Sequence, residues 1–259
     1  MKAVIFAGGM GTRISEESHL RPKPMIEIGS HPILWHIMKY YAYFGVSDFV
    51  ILAGYKAGMI REYFAQYFLH QAEAVTFDIS KGQQFVHTSL GESWKVTVVD
   101  TGLETMTGGR LRRARNYLGT EPFYLTYGDG LSDIDLNMLL AHHQRTGGKV
   151  TLTAVQPLGR FGRLELQQDR VSSFAEKPHG DGDWFNGGFF VVDPSAVDLI
   201  TDDQEPWEAG PMTRLVELEQ LSAYRHQGFW HPMDTMRDRS SLEALWQSGK
   251  APWRVWNDR

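Results

Sequence analysis

The chain has 259 residues, 42% hydrophobic and 22% charged, proportions typical of a globular protein with a sizeable core. Its formal net charge of −5 at pH 7 argues against a nucleic-acid partner, because such partners usually require a basic surface. It contains no cysteine, which excludes disulfides, thiolate nucleophiles and Cys-ligated zinc and fits a reducing cytoplasm. No apolar stretch approaches the ~20 residues of a membrane span, and the apolar run at the N-terminus is too short for a signal peptide. We therefore expect a cytoplasmic protein with no membrane partner.

Strands and helices alternate through the first half of the chain. Short apolar runs that end at turn residues predict buried strands, and apolar side chains at helical spacing predict helices between them. The predicted strands are Lys2–Ala7, 49–53, 75–79, 96–99 and Phe123–Tyr127, and the predicted helices lie near 33–41, 60–68 and 110–117, with Gly45 ending the first helix. This alternation predicts an α/β fold with a mostly parallel central sheet and helices on both faces.

The second half of the chain has a different pattern. Four predicted strands joined by short turns, Val150–Val155, 163–166, 171–174 and 189–192, indicate a mixed or antiparallel part of the sheet. A last helix is predicted over 239–247. No internal repeat or Pro/Gly/Ser-rich linker interrupts the chain, so we predict a single domain over residues 1–259.

A glycine-rich loop follows the first predicted strand, and a Pro-Lys-Pro segment follows ten residues later. Backbone N–H groups of such a loop can surround phosphates, since the absent Cβ atoms let a ligand come close. Arg13 and Lys23 add positive charge where a triphosphate needs it. The residues concerned are Ala7, Gly8, Gly9, Met10, Gly11, Thr12 and Arg13, then Pro22, Lys23 and Pro24.

Other interpretations of this loop fail on specific positions. The dinucleotide fingerprint of NAD-dependent oxidoreductases needs a third glycine where this chain has Ile14. A Walker A loop ends in Gly-Lys-Ser/Thr, which is absent. A glycine pair alone would favour a simple tight turn, but the added Thr12, Arg13 and Lys23 favour phosphate binding.

Asp129 and Asp234 are candidate metal ligands. Asp129 follows the predicted strand Phe123–Tyr127 and stands between Gly128 and Gly130. Magnesium is held by one or two carboxylates together with phosphate oxygens and waters. Aspartates are also common in turns, and spacing alone favours that structural role over metal binding.

Several motifs together resemble the signature of the sugar nucleotidyltransferases. Besides the glycine-rich loop and Pro22-Lys23-Pro24, they are Gly128-Asp129-Gly130, Glu176-Lys177-Pro178, Asn186-Gly187-Gly188 and Pro232-Met233-Asp234-Thr235, in this order from the first residue to near the last. The resemblance implies a Rossmann-like nucleotidyltransferase fold and magnesium-dependent in-line displacement. It also favours the metal role of Asp129 and Asp234 over the turn role.

Further motifs resemble the members of this family that use CTP and glucose 1-phosphate. These are Trp35-His36-Ile37-Met38-Lys39, Asp100-Thr101-Gly102, Met106-Thr107-Gly108-Gly109-Arg110 and Phe229-Trp230-His231. The resemblance implies CDP-glucose as product, a link to 3,6-dideoxyhexose and O-antigen (lipopolysaccharide) biosynthesis, and a homo-oligomer, with a hexamer as the candidate assembly. The alternatives are the same chemistry with dTTP, UTP or another phosphorylated acceptor, and a non-catalytic nucleotide-sensing subunit.

The resemblance also implies a role for each site residue. Lys23, Arg13 and Asp129 are expected to be catalytic, and Asp129 and Asp234 to bind magnesium. The expected nucleotide-binding residues are 7–13 of the glycine-rich loop, Thr105, Arg110 and Gly128. The expected sugar-phosphate residues are Lys23, Tyr127, Glu176, Lys177, Asn186 and Gly187.

Overall fold

The computed structural model describes residues 1–87, 92–156, 163–167, 170–175 and 183–257. Its strands are β1 (Lys2–Ala7), β2 (Glu27–Ile28), β3 (His31–Pro32), β4 (Asp48–Ala53), β5 (Ala74–Asp78), β6 (Gln83–His87), β7 (Lys95–Asp100), β8 (Phe123–Tyr127), β9 (Gly130–Ser132), β10 (Val150–Val155), β11 (Arg163–Gln167), β12 (Arg170–Ala175), β13 (Phe185–Asn186), β14 (Phe190–Val192), β15 (Leu221–His226) and β16 (Trp230–Pro232). Its helices are α1 (Ser15–Ser18), α2 (Ile33–Tyr43), α3 (Ala57–Ala65), α4 (Tyr67–His70), α5 (Thr107–Arg113), α6 (Arg115–Leu118), α7 (Leu136–Thr146), α8 (Gly210–Glu217) and α9 (Met236–Gln247). Single 3-10 turns cover Thr12–Ile14 and Lys23–Met25, and a longer 3-10 segment covers Pro194–Leu199.

Eight strands form the central sheet in the order β13-β10-β14-β8-β1-β4-β7, with β15 also paired to β10. The pairs β8–β1, β1–β4, β4–β7 and β10–β15 are parallel. The pairs β8–β14, β14–β10 and β10–β13 are antiparallel. The predicted mixed, mostly parallel sheet is therefore confirmed, with its antiparallel part in the second half of the chain.

Both faces of the sheet are covered by helices, as predicted. Successive residues of β1 alternate between the faces: Ala3, Ile5 and Ala7 join one apolar cluster, whereas Val4 and Phe6 join the other. The first cluster includes residues of α2, α7 and α9, and the second includes residues of α5, α6 and α8. Because both faces are buried, β1 is a continuous apolar run rather than an alternating one.

Most predicted elements are confirmed, and the differences lie mainly at helix ends. Gly45, with φ +86°, follows the end of α2, as expected for a glycine stop. The helix predicted over 239–247 begins earlier, at Met236, because Thr235 and Asp238 form a capping box there. The predicted helices near 60–68 and 110–117 are each broken into two shorter helices, and α7 and α8 were not predicted. Among the described residues, no helix is long and apolar enough to cross a membrane.

Candidate active site

The candidate site lies where the carboxyl ends of β1 and β8 meet. From β1 the chain continues to β4 and β7 on one side, and it then returns to place β8 on the other side of β1. This reversal opens a crevice between β1 and β8, the usual ligand position in open α/β sheets. Gly8 follows β1 and Gly128 follows β8. The N–H of Gly128 donates to the carbonyl of Phe6 at 2.9 Å, and a Cβ at Gly128 would lie only 2.6 Å from that oxygen.

A cavity of about 460 Å³ occupies this crevice. The volume lies within the ~300–1,000 Å³ range typical of small-molecule sites. The cavity includes the whole glycine-rich loop and brings together most of the residues predicted for the nucleotide. Its lining consists of residues 6–13, Lys23, Pro24, residues 103–107, Arg110, Tyr127, Gly128, Asp129, Pro206 and Glu208.

The glycine-rich loop offers open backbone to the cavity. Gly11 has φ +65°, a left-handed conformation that favours glycine, and it precedes the 3-10 turn Thr12–Ile14. A Cβ at Gly9 would meet no other atom within 4 Å, so the space beside this backbone is free. The loop can therefore accept a ligand directly against its main chain, as the sequence predicts.

Lys23 lies between two aspartates. Its side chain is 9% exposed, and its Nζ donates to Asp129 Oδ2 at 2.5 Å and to Asp234 Oδ1 at 2.7 Å. Arg13 donates to the other oxygen of Asp234 at 2.6 Å, from a side chain that is 71% exposed. Two anions and two cations thus form one cluster at the glycine-rich loop. The structure therefore brings together the four residues predicted to be catalytic or to bind metal.

A short strand pair brings the two aspartates together. β9 and β16 pair antiparallel, with Pro232 opposite Gly130, and the N–H of Met233 donates to the carbonyl of Asp129 at 2.8 Å. Asp234 follows at the start of the loop that leads into α9, where its N–H donates to Asp238. The main-chain ladder therefore fixes the distance between residues that are far apart in sequence.

The two aspartates fit a magnesium ion. Mg²⁺ prefers one or two carboxylates and completes its shell with phosphate oxygens and water. Asp129 and Asp234 supply two carboxylates that already share one cation. No group of three or more His, Cys, Asp or Glu side chains suited to a metal occurs within the described ranges. Two carboxylates therefore suit a metal ion that completes its coordination with the phosphates of a substrate, rather than one held by protein ligands alone.

Arg110 is buried behind the glycine-rich loop, and Thr105 is buried beside it. The Arg110 guanidinium donates to the carbonyls of Gly8 at 3.0 Å and Gly102 at 2.7 Å, and to the Thr101 hydroxyl at 2.7 Å. Burial lowers its pKa, and the neighbouring Arg113 acts in the same direction. Arg110 therefore lines the cavity, as predicted, and also ties the glycine-rich loop to the segment after β7.

Of the residues predicted for the sugar phosphate, Tyr127, Asn186 and Gly187 lie on the β8 side of the crevice. Asn186 Nδ2 donates to the Tyr127 hydroxyl at 3.4 Å, and Gly187 is held by the Trp230 indole, which donates to its carbonyl at 2.7 Å. Glu176 and Lys177 lie outside the described residues.

Two cavity residues that contact each other, Thr107 and Glu208, were not among the predicted site residues. Glu208 lines the cavity and accepts from the Tyr127 hydroxyl at 2.6 Å, and Thr107 donates to the same carboxylate at 2.6 Å. Thr107 belongs to one of the motifs that carried the family resemblance, so the sequence alone could have identified it as a site residue. Glu208 stands outside every recognised motif, so only the fold reveals it.

The crevice, the glycine-rich loop and the Lys–Asp cluster define a nucleotide-dependent transferase. The chain belongs to the nucleotidyl transferase family, whose family model matches residues 2–249. It is 53% identical over 257 residues to the glucose-1-phosphate cytidylyltransferase of Salmonella typhi, covering 99% of this chain and 100% of that protein. It is 42% identical over 259 residues to the probable glucose-1-phosphate cytidylyltransferase of Bacillus subtilis (strain 168), covering 99% of this chain and 100% of that protein. Its fold matches the UDP-glucose pyrophosphorylase of Acinetobacter baumanii with a TM-score of 0.69 and 17% identity, over 96% of this chain and 95% of that structure.

Proposed function

We propose that this protein transfers the cytidylyl group of CTP to α-D-glucose 1-phosphate and releases pyrophosphate. The observation that carries the proposal is the cluster of Lys23, Asp129 and Asp234 beside the glycine-rich loop, of which Lys23 and Asp129 line a cavity of about 460 Å³. The similarity over nearly the full length to relatives named glucose-1-phosphate cytidylyltransferase supports the choice of base and sugar.

The position of each group suggests how the substrates bind. The backbone of the glycine-rich loop, open beside Gly9, and the exposed Arg13 suit the β- and γ-phosphates of CTP, since both provide donors to anionic oxygens. The segment containing Thr105 and Arg110 suits the nucleoside, because it lines the same cavity as the glycine-rich loop. Tyr127, Asn186 and Gly187, together with Glu176 and Lys177, are assigned to the sugar phosphate.

The reaction is an in-line displacement at the α-phosphorus. An oxygen of the sugar phosphate attacks that phosphorus and forms the new P–O bond. The bond to the bridging oxygen breaks, and pyrophosphate leaves with the electron pair. No covalent intermediate on the protein is needed, because phosphoryl chemistry of this kind depends on positioning and charge neutralisation.

Lys23 supplies positive charge at the reacting phosphates. Its ammonium is held at the crevice by both aspartates, within reach of the phosphates that meet there. Magnesium, held by Asp129 and Asp234 when bound, would neutralise charge on the nucleotide and on the departing pyrophosphate. Arg13 is the more exposed of the two cations, so its side chain can stay in contact with the β- and γ-phosphates as pyrophosphate leaves.

Pyrophosphate release tests this proposal directly. The protein is incubated with magnesium and glucose 1-phosphate, and CTP, UTP, dTTP, ATP and GTP are compared in parallel. We expect a strong preference for CTP. A preference for UTP or dTTP would retain the chemistry and overturn the base assignment. No release with any of the five nucleotides would overturn the reaction and favour another acceptor phosphate or a nucleotide-sensing role.

We also propose that the protein is a cytoplasmic homo-oligomer, with a hexamer as the candidate assembly. The absence of cysteine fits a reducing compartment. The hairpin of β5 and β6 exposes large apolar side chains, with Phe77 59%, Ile79 86% and Phe85 51% exposed. Apolar patches of this kind mark interaction surfaces. Light scattering after size exclusion tests the assembly, and a monomer at micromolar concentration would contradict it.

A further inference from the structure

The carboxylate of Glu208 is oriented by hydroxyl groups on both of its oxygens. Oε1 accepts from Tyr127 and Oε2 accepts from Thr107, each at 2.6 Å. The Thr107 oxygen in turn accepts from the N–H of Trp207 at 2.9 Å, so its own proton is directed to Glu208. The carboxylate therefore has a fixed position at the cavity wall, where it links the start of α5 to the end of β8.

Tyr127 is the next group in this chain of contacts. Its ring stacks on Phe6 with centroids 5.7 Å apart and meets the ring of Phe190 edge-on at 6.0 Å. Its hydroxyl donates its proton to the Glu208 carboxylate, which can only accept. Since that proton points to Glu208, the Tyr127 oxygen presents its lone pairs elsewhere.

The side-chain amide of Asn186 donates a hydrogen bond to one of those lone pairs. Its Nδ2 donates to the Tyr127 oxygen at 3.4 Å, and its Oδ1 accepts from the N–H of Gly188 at 3.0 Å. One contact requires a donor and the other an acceptor, so together they define which way the amide faces. Among the residues that the structure describes, no second partner contacts Nδ2, so its other proton can donate to a substrate oxygen.

We propose that Glu208 is a positioning residue of the sugar-phosphate site, acting through Tyr127 on the orientation of Asn186. This inference rests on the proposed function, which assigns Asn186 to the sugar phosphate. The negative charge is essential to the effect, because a carboxylate can only accept from Tyr127. A glutamine at this position could donate to the Tyr127 oxygen instead and turn the tyrosine proton toward Asn186. Two donors would then face each other, and the amide would rotate away.

A double-mutant cycle separates positioning from direct binding. The variants are Glu208→Gln, Tyr127→Phe and the two combined, with KM for each substrate and kcat measured for all. We expect Glu208→Gln to raise KM for glucose 1-phosphate about tenfold, the upper range for one lost hydrogen bond, and to change KM for CTP less than about twofold. In the Tyr127→Phe background, the same substitution should have no further effect.

Glu104→Gln is the matched control, because it removes an equal charge from the wall of the same cavity. The fold-changes in KM caused by Glu104→Gln and by Tyr127→Phe, whatever their size, should multiply when the two substitutions are combined. If the effects of Glu208→Gln and Tyr127→Phe also multiply, Glu208 acts independently of Tyr127 and the inference is wrong. Thermal unfolding checks that each variant is folded. Glu208→Asp, which withdraws the carboxylate by one methylene, replaces Glu208→Gln if the latter does not fold.

Crystal structures of the wild type and Glu208→Gln without substrates give a readout that does not depend on activity. We expect the contact between Asn186 and Tyr127 to be lost in the variant. An Asn186 side chain that keeps its place would overturn the inference even if the enzyme is active. A displaced Asn186 in a protein that releases no pyrophosphate would support the inference about orientation and overturn only the proposed reaction.

Discussion

The guanidinium of Arg110 occupies the space that a side chain at position 8 would need. A Cβ built on Gly8 would overlap the terminal atoms of Arg110, which donates to the Gly8 carbonyl at 3.0 Å. The first glycine of the loop is therefore required by a protein side chain behind the loop, independently of any ligand. The two residues are 102 positions apart, and their contact connects two segments of the cavity wall.

Gly8→Ala is expected to destabilise the protein by about 2 kcal/mol, because a well-packed group must move to admit the methyl. At this chain length, that change lowers the melting temperature by several degrees. Gly9→Ala is the control, since a Cβ there meets nothing within 4 Å. Differential scanning calorimetry on both variants measures the difference. Equal melting temperatures would show that Arg110 can move aside without cost.

Lys23→Ala is expected to lower kcat by about a hundredfold or more, because losing one preorganised charge at a reacting centre costs about 3 kcal/mol. Lys95→Ala is the control. That ammonium lies 3.8 Å from Asp48, where β4 and β7 begin. This is the amino end of the parallel strands, whereas the cavity lies at their carboxyl end. Lys95→Ala should leave turnover unchanged. Normal turnover in a folded Lys23→Ala variant would remove Lys23 from the mechanism.

Metal binding without nucleotide should be weak in the wild type and tighter in Lys23→Met. Asp129 and Asp234 already share the Lys23 ammonium, so a metal ion alone must compete with a cation that is part of the protein. Removing the ammonium leaves Asp129 without its cation and Asp234 with Arg13 alone, so the pair holds more uncompensated negative charge. Titration with Mn²⁺ as a stand-in for Mg²⁺, followed by electron paramagnetic resonance, measures free metal directly. Asp129→Asn in the Lys23→Met background should abolish the gain, and a gain that survives would place the metal elsewhere.

The strands that frame the cavity could be predicted from the sequence. β1 and β8 are apolar because both of their faces are buried, and each ends at a glycine, so their bounds are visible without a structure. By contrast, α8 begins with Gly210 and Pro211, residues that also occur in loops, and its sparse apolar pattern concealed a helix. Helix position in this part depends on packing against the sheet, which local sequence does not encode.

The site was only partly predictable for a related reason. The sequence identified Asp129 and Asp234 through motifs, but their convergence depends on the β9–β16 ladder. Those strands are three residues long and contain Gly130 and Pro232, so they carry no strand pattern. Glu208 reaches the cavity from a segment without a motif, and only tertiary structure places it against Tyr127.

Stability between pH 4 and 6.5 should depend on His36. Its ring is fully buried, with Nε2 donating to the Ile28 carbonyl at 2.9 Å and Nδ1 accepting from the Trp253 indole at 3.4 Å. Burial lowers the pKa of His36 from 6.5 to about 4. Below pH 6.5 His36 is therefore protonated in the unfolded chain, whereas in the folded protein it stays neutral down to about pH 4. The free energy of unfolding should fall across this window, by on the order of 3 kcal/mol in total.

His36→Gln should flatten this part of the stability profile, because glutamine can still donate to Ile28 and does not titrate. Urea unfolding at half-unit steps from pH 4 to 7, at one protein concentration, gives the slope for each variant. His87→Gln, on the exposed strand β6, controls for the loss of a surface histidine and should keep the wild-type slope. If His36→Gln loses stability with falling pH as steeply as the wild type, the acid sensitivity arises elsewhere, and the neutral His36 between Ile28 and Trp253 is not its source.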